Sequence, residues 1–300
     1  MDKNKVGAIV EERLNQIAAS SNNLSIWRPS YSESYAAAGS LIKQWLREDE
    51  FEVYEDAVGN IFGRYKGSES GTVLCGSHLD TVKNGGKYDG ATGIITAILA
   101  ARENFLRYGS PRKSIEVVAL VEEEGSRFAS SYIGSRSITG KLPVENLNET
   151  DSNGVTLCQA IKKAGFEGYT VNGLSKAVKN DLTAYLELHV EQGPYLENKG
   201  LQIGVVTNIV GIYSYEITII GQQNHAGTTP MTMRLDPILA ATDFISSMTA
   251  YCKKISPSAT FTVGSITAAP GLSNVIARKV SFTVDFREGI KDTKDTIESE

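Results

Sequence analysis

Gly76-Ser77-His78-Leu79-Asp80-Thr81, followed by Gly85-Gly86-Lys87-Tyr88-Asp89-Gly90, decides how this chain is read. Thr72-Val73-Leu74-Cys75 just before it is a short apolar run between glycines, the pattern of a buried strand. His78 and Asp80 are two apart, so in extended chain both side chains face the same side. A histidine beside a carboxylate suits a metal ligand and the outer group that fixes its ring. Asp89 lies among glycines that allow a tight turn and return its carboxylate to the strand end. Cys75 forms a Cys-x-x-His spacing with His78, but a buried mid-strand thiol is the favoured reading over a ligand.

Working outward, residues 7–19 and 34–48 carry apolar side chains at helical spacing. Phe51–Tyr54 and Ile61–Tyr65 read as strands, and Ala91–Tyr108 as a helix covering the sheet. Ser114–Val121 is a near-continuous apolar strand ending at Glu122-Glu123-Glu124. Strand, helix, strand predicts a parallel sheet, whose ligands gather outside the carboxyl ends of the strands. A further strand over Tyr185–Pro194 carries His189 near its end. After Gly211 the order becomes strand, helix, strand, strand, over Tyr213–Ile220, Pro237–Tyr251, Thr260–Ile266 and Val280–Phe286. The expected architecture is α/β: a mostly parallel-sheet domain over residues 1–211 and a smaller α+β domain over 212–300.

Composition narrows the function. In 300 residues, 41% are hydrophobic and 22% charged, which describes a globular chain. The net charge of −5 and the lack of a basic run argue against a nucleic-acid surface. No apolar run approaches membrane length, and no apolar stretch of a leader follows Met1. Three scattered cysteines fit a reducing cytoplasm better than a disulfide framework. Only three histidines occur, and each falls inside a motif.

Three acids closing an apolar strand are costly unless a positive charge faces them. A dinuclear cation site resolves this, since it uses carboxylates, neutral imidazoles and one free carboxylate as base. His78, Asp89, Glu124 and His189 form a nitrogen and oxygen donor set without thiolate, suited to zinc or manganese, with cobalt or nickel as alternatives. Glu123 would face the water that the cations activate. In the second domain, His225 lies in Asn224-His225-Ala226-Gly227, and taken alone it could be an ordinary loop histidine. Arg287, at a strand end, could grip a substrate carboxylate or pair with Asp285 or Glu288.

These pieces resemble the di-metal aminoacylase and carboxypeptidase superfamily, in its ureido-hydrolysing branch. Besides the opening motifs, the resemblance rests on Glu122-Glu123-Glu124-Gly125-Ser126-Arg127-Phe128, His189-Val190-Glu191-Gln192-Gly193 and Asn224-His225-Ala226-Gly227-Thr228-Thr229-Pro230-Met231, all in family order. It implies two divalent metals bridged by Asp89, with His78 and His189 on one and Glu124 on the other. It implies Glu123 as general base, Asp80 as the group orienting His78, and a cis peptide after Asp89. It also implies a lid and homodimerisation domain whose His225 stabilises the oxyanion in the partner's site. Gln192, Asn274 and Arg287 match positions that hold the substrate. The implied reaction is hydrolysis of a ureido C–N bond, of allantoate first, then of an N-carbamoyl-L-amino acid or β-ureidopropionate. A peptidase or aminoacylase of the same superfamily and a non-catalytic dimerisation module are the other readings.

Two departures accompany the resemblance. The family's last metal ligand is a histidine beyond the lid, whereas this sequence stops at Glu300, within an expected lid helix, without a fourth histidine. The chain is therefore expected to match the first three-quarters of a family member and to have weak or no activity in this form. Ala129 stands where allantoate enzymes usually have proline, and Ile212-Tyr213-Ser214 where they have basic residues.

Overall fold

Burial of one apolar strand on both faces sets the architecture. In the computed structural model, which describes residues 3–21, 25–256 and 259–289, the chain divides into units Met1–Tyr195 and Leu196–Glu300. The compositional shift after Gly211 marks the first strand of the second unit instead.

The first unit opens with helices α1 (Lys3–Ala19) and α2 (Glu33–Glu48). Ser32 caps α2 by accepting from the Tyr35 N–H at 3.2 Å. Strands β1 (Glu52–Glu55) and β2 (Ile61–Tyr65) form an antiparallel hairpin. Then come β3 (Thr72–His78), α3 (Ala91–Tyr108) and β4 (Ser114–Leu120). Short helices α4 (Ile133–Ile138), α5 (Leu157–Lys163) and α6 (Val171–Ser175) precede β5 (Leu182–Leu186). The five-stranded sheet runs β1-β2-β4-β3-β5. β3 is parallel to both neighbours, β4 and β5, and the hairpin adds the antiparallel edge.

Alternate residues of β4 serve two cores. Val117 and Ala119 face α1, α2 and α3 with Ile42, Leu46, Ile94, Ile95 and Ile98. Val118 and Leu120 pack on the other face with Phe62, Leu74 and Ile138. Each fully buried isoleucine of α3 gains roughly 1.5–3 kcal/mol from leaving water, which fixes that helix on the sheet. The expected strand over 185–194 is shorter and earlier, ending at Leu186, so His189 lies on extended chain beyond it.

One charge interrupts this apolar strand. Glu116 is buried in β4, where it accepts from Lys179 Nζ at 2.6 Å and Tyr54 Oη at 3.0 Å, with Arg64 Nε at 3.5 Å. Lys179 sits just before β5 and also donates to Tyr54 Oη at 2.7 Å. This network ties the helical excursion after β4 back to the sheet.

In the second unit, α7 (Tyr195–Lys199) straddles the boundary, and β6 (Gly211–Ile220), α8 (Pro237–Ile255), β7 (Thr260–Ala269) and β8 (Lys279–Glu288) follow. Asp236 caps α8 at the Ile238 N–H, with Pro237 in its first turn. β8 lies between β6 and β7 in an antiparallel sheet. Its alternate residues Val280, Phe282, Val284 and Phe286 are buried with Ala241 and Cys252 of α8. This is the expected α+β order. The lid helix expected to reach Glu300 lies outside the described residues.

Among the described residues, no helix is long and apolar enough to cross a membrane. All three cysteines are free.

Replacing Lys179 with Met leaves the buried Glu116 only Tyr54 and the more distant Arg64, and the expected cost is about 3 kcal/mol of unfolding free energy. Urea denaturation measures it. Glu116→Gln combined with Lys179→Met should recover much of the loss, and an unchanged midpoint in the single variant would show that the pair does not hold the excursion.

Candidate metal centre and active site

Two parallel strands and one helix start deliver the central side chains. His78 is the last residue of β3, His189 follows β5, and Asp89 directly precedes the Gly90 cap of α3. Gly90 takes φ +62°, and a Cβ there would lie 2.3 Å from the His78 carbonyl and 2.7 Å from its ring. Only glycine allows α3 to begin this close to the imidazole. The Asp89–Gly90 peptide is trans, contrary to the resemblance, and the turn comes from the Gly90 backbone instead.

Each imidazole is oriented by a main-chain carbonyl. His78 Nδ1 lies 3.0 Å from Asp80 O, and His189 Nδ1 lies 2.9 Å from Val190 O. A carbonyl cannot donate, so Nδ1 carries the hydrogen in both rings, and in a neutral ring Nε2 is a lone pair. Both Nε2 atoms approach Asp89 Oδ1, at 3.6 Å for His78 and 3.1 Å for His189. That oxygen is buried and has no hydrogen-bond donor. The other oxygen of Asp89 accepts from Gln192 Nε2 at 2.7 Å. Two imidazole Nε2 atoms, lone pairs once the rings are neutral, and a buried carboxylate oxygen converging on one point fit a divalent cation.

A second acidic side faces His78. Ligand atoms of His78, Glu123 and Glu124 lie within 4.8 Å of one another, as do those of His78, Asp89 and His189. The expected set of His78, Asp89, Glu124 and His189 is thus brought together around His78, with Glu123 Oε2 at 4.0 Å from its Nε2. Asp89 belongs to the group with His189 and not to the group with Glu123 and Glu124.

Charge explains the titration of the site. Asp89 is held well below the usual carboxylate range by His189 and His78. Burial pulls His78 down, but Asp89, Asp80 and Glu123 outweigh it and raise the imidazole to about 9. Asp89 likewise raises His189 to about 8. Burial pushes Glu123 up and carries Glu124 to about 7. Acids pushed toward protonation beside imidazoles that hold protons are what a bound cation reverses.

The carboxylate of Asp80 does something other than expected. It stands 3.9 Å from His78 Nδ1, which is held by the Asp80 carbonyl instead. Its two oxygens accept the N–H groups of Glu123 at 3.0 Å and Glu124 at 3.1 Å. Asp80 therefore fixes the backbone of the acidic pair, and its own main chain fixes the histidine.

Glu122 separates from its neighbours. At φ +51° it turns inward, accepting from Ser30 Oγ and from the N–H groups of Arg127 at 3.1 Å and Phe128 at 3.0 Å. It closes the loop, while Glu123 and Glu124 face the site.

In the second unit, His225 and Asn274 meet through a backbone exchange. Ala226 N donates to Asn274 O at 3.0 Å, and Ile276 N to Asn224 O at 2.8 Å. Gly227 N donates to His225 Nδ1 at 3.1 Å, which leaves the proton on Nε2. Arg234, passed over in the sequence, holds this loop through Ala226 O at 2.7 Å and Thr229 O at 3.0 Å. Nothing in its spacing marks that role. Arg287 lies on β8 in a two-pronged pair with Asp285, at 2.8 and 3.3 Å.

The model of Peptidase family M20/M25/M40 matches residues 74–287. An allantoate amidohydrolase of Bacillus subtilis (strain 168) is 40% identical over 92% of this chain and 67% of its own length. An N-carbamoyl-L-amino-acid amidohydrolase of Pseudomonas sp. (strain NS671) is 37% identical over 92% of this chain and 68% of its own. The crystal structure of a hydantoinase/carbamoylase family amidase from Burkholderia multivorans superposes with a TM-score of 0.88 at 32% identity, covering 100% of this chain and 72% of that one. By these matches the chain belongs to Peptidase family M20/M25/M40, with amidohydrolases of that family among its relatives.

Proposed function

We propose that this protein is a di-metal amidohydrolase that cleaves a ureido C–N bond, with allantoate as first substrate and an N-carbamoyl-L-amino acid as second. The observation that carries the reading is the convergence of two imidazole Nε2 atoms on the buried Asp89 Oδ1, with Glu123 beside them. The names of the relatives supply the substrate class, and the ordering follows the allantoate amidohydrolase match.

Two divalent cations, zinc or manganese, held by His78, Asp89, His189 and Glu124, would supply an acidified water and polarise the ureido carbonyl. Glu123 would take the proton from that water and return it to the leaving nitrogen, a task suited to a carboxylate 4.0 Å from His78 Nε2 at the same centre. Asp80 keeps Glu123 at its post through the backbone. Hydrolysis gives the amine and carbamate, which falls apart to carbon dioxide and ammonia. His225, with its proton on Nε2, is suited to donate to the oxyanion from a second subunit of a homodimer. Asn274 and Arg287 would bind substrate polar groups, Arg287 after leaving Asp285. Gln192 acts first on Asp89.

Ammonia release from allantoate and from N-carbamoyl-L-amino acids by the metal-loaded full-length protein tests the class. Glu123→Gln is expected to lower kcat by about 10²–10⁴-fold while keeping its metal, measured by elemental analysis. Undiminished release in that variant would remove Glu123 as base. Cleavage of N-acyl or peptide bonds without ammonia would move the protein to the aminoacylase reading.

His225→Ala should lower kcat by about 10²–10³-fold with metal content unchanged, and normal turnover would remove it as an oxyanion donor. Chelation should abolish activity, and zinc or manganese should restore it.

A further inference from the structure

The ladder between β3 and β5 ends before the metal centre. Its last register pair is Cys75 with Leu186, so Gly76, Ser77 and His78 pair only with β4 on the other side. Yet His78 and His189 must hold a fixed separation, since their ring centroids stand 5.8 Å apart around Asp89. Side chains take over where the backbone stops. The Ser77 hydroxyl donates to Glu187 Oε1, and the Tyr185 hydroxyl donates to Glu187 Oε2 at 2.8 Å. Tyr185 Oη also lies 3.4 Å from Gly76 O.

Two details show that this is a constrained junction. Ser77 is fully buried, so its hydroxyl needs an acceptor, and Glu187 is the one it has. From the other side, α3 presses on both strand ends at Gly93. A Cβ there would lie 2.5 Å from Leu188 O and 2.6 Å from Ser77 Cβ. Among the described residues no lysine, arginine or histidine forms an ion pair with Glu187, whose hydrogen-bond partners are the Ser77 and Tyr185 hydroxyls. A carboxylate whose two oxygens each take one hydroxyl hydrogen links the residues that carry them.

We propose that Glu187 is a positioning residue of the metal centre: by joining Ser77 to Tyr185 it sets the spacing of His78 and His189. This rests on the metal reading above. Glu187 acts on the two imidazoles through the strand ends that carry them.

Cobalt(II) is the probe, because its visible absorption reports ligand geometry independently of turnover. In Glu187→Ala the expected result is cobalt affinity weaker by about 10–100-fold, with an altered visible spectrum and little change in Tm. Glu187→Gln can still accept from one hydroxyl and donate to the other, so it should restore the native spectrum. Ser77→Ala, a milder change should the first variant fold poorly, should shift affinity the same way. The double variant Ser77→Ala with Glu187→Ala should then be no weaker than Glu187→Ala alone. Native affinity and spectrum in both Glu187→Ala and Ser77→Ala would overturn the proposal. Failure of the unaltered protein to bind cobalt would instead overturn the metal reading beneath it.

Discussion

The approach of two imidazole Nε2 atoms to one buried oxygen of Asp89 is the constraint on which this structure depends. Neither ring can turn away, because each Nδ1 is tied to a carbonyl of its own strand end. For the three groups to meet, β3 and β5 must lie side by side and in the same direction, and α3 must start within contact of His78. The apolar packing of β4 and α3 supplies the energy that holds these ends in place. Burial of acids opposes it, and is tolerated because almost every carboxylate oxygen here has a donor or faces the cation position.

Acids of one type are sorted into different work by backbone direction. Glu122 turns inward at positive φ and holds the loop through Ser30, Arg127 and Phe128. Glu123 and Glu124 face outward, and their N–H groups are gripped by Asp80 from below. The backbone of Glu123, the base proposed above, is thus fixed by the carboxylate of Asp80.

The sequence shows the fold well where periodicity and scarcity of a residue type coincide. The β3–α3–β4 unit is legible from two apolar runs and a 3.6-period helix, and His78, Asp89, Glu123 and Glu124 fall at its loop ends for that reason. His189 is legible as a candidate ligand but misplaced on a strand, because Leu188 continues the apolar alternation after pairing has stopped at Leu186. The partners of polar groups are not legible at all. Whether Asp80 offers His78 its carboxylate or its carbonyl depends on loop geometry, and so does the engagement of Gln192 by Asp89. Arg287 illustrates the same limit: the pairing with Asp285 and the capture of a substrate carboxylate look identical in sequence. Arg234 acts through two carbonyls, which leave no trace in residue type.

The order of strands in the chain has a kinetic side. His78, Asp89 and Glu124 arrive on one contiguous strand–helix–strand segment, whose contacts are local. His189 arrives only after the helical excursion, on β5, which closes a long loop to pair with the free edge of β3. Non-local parallel pairing of this kind is slow, because loop entropy is spent before contacts reward it. A cation gathered by the early donors would meet its last imidazole at the moment β5 docks, so its binding free energy would fall on the slowest assembly step. Metal supply during synthesis would then govern how much chain reaches the native state, as well as how much of it turns over.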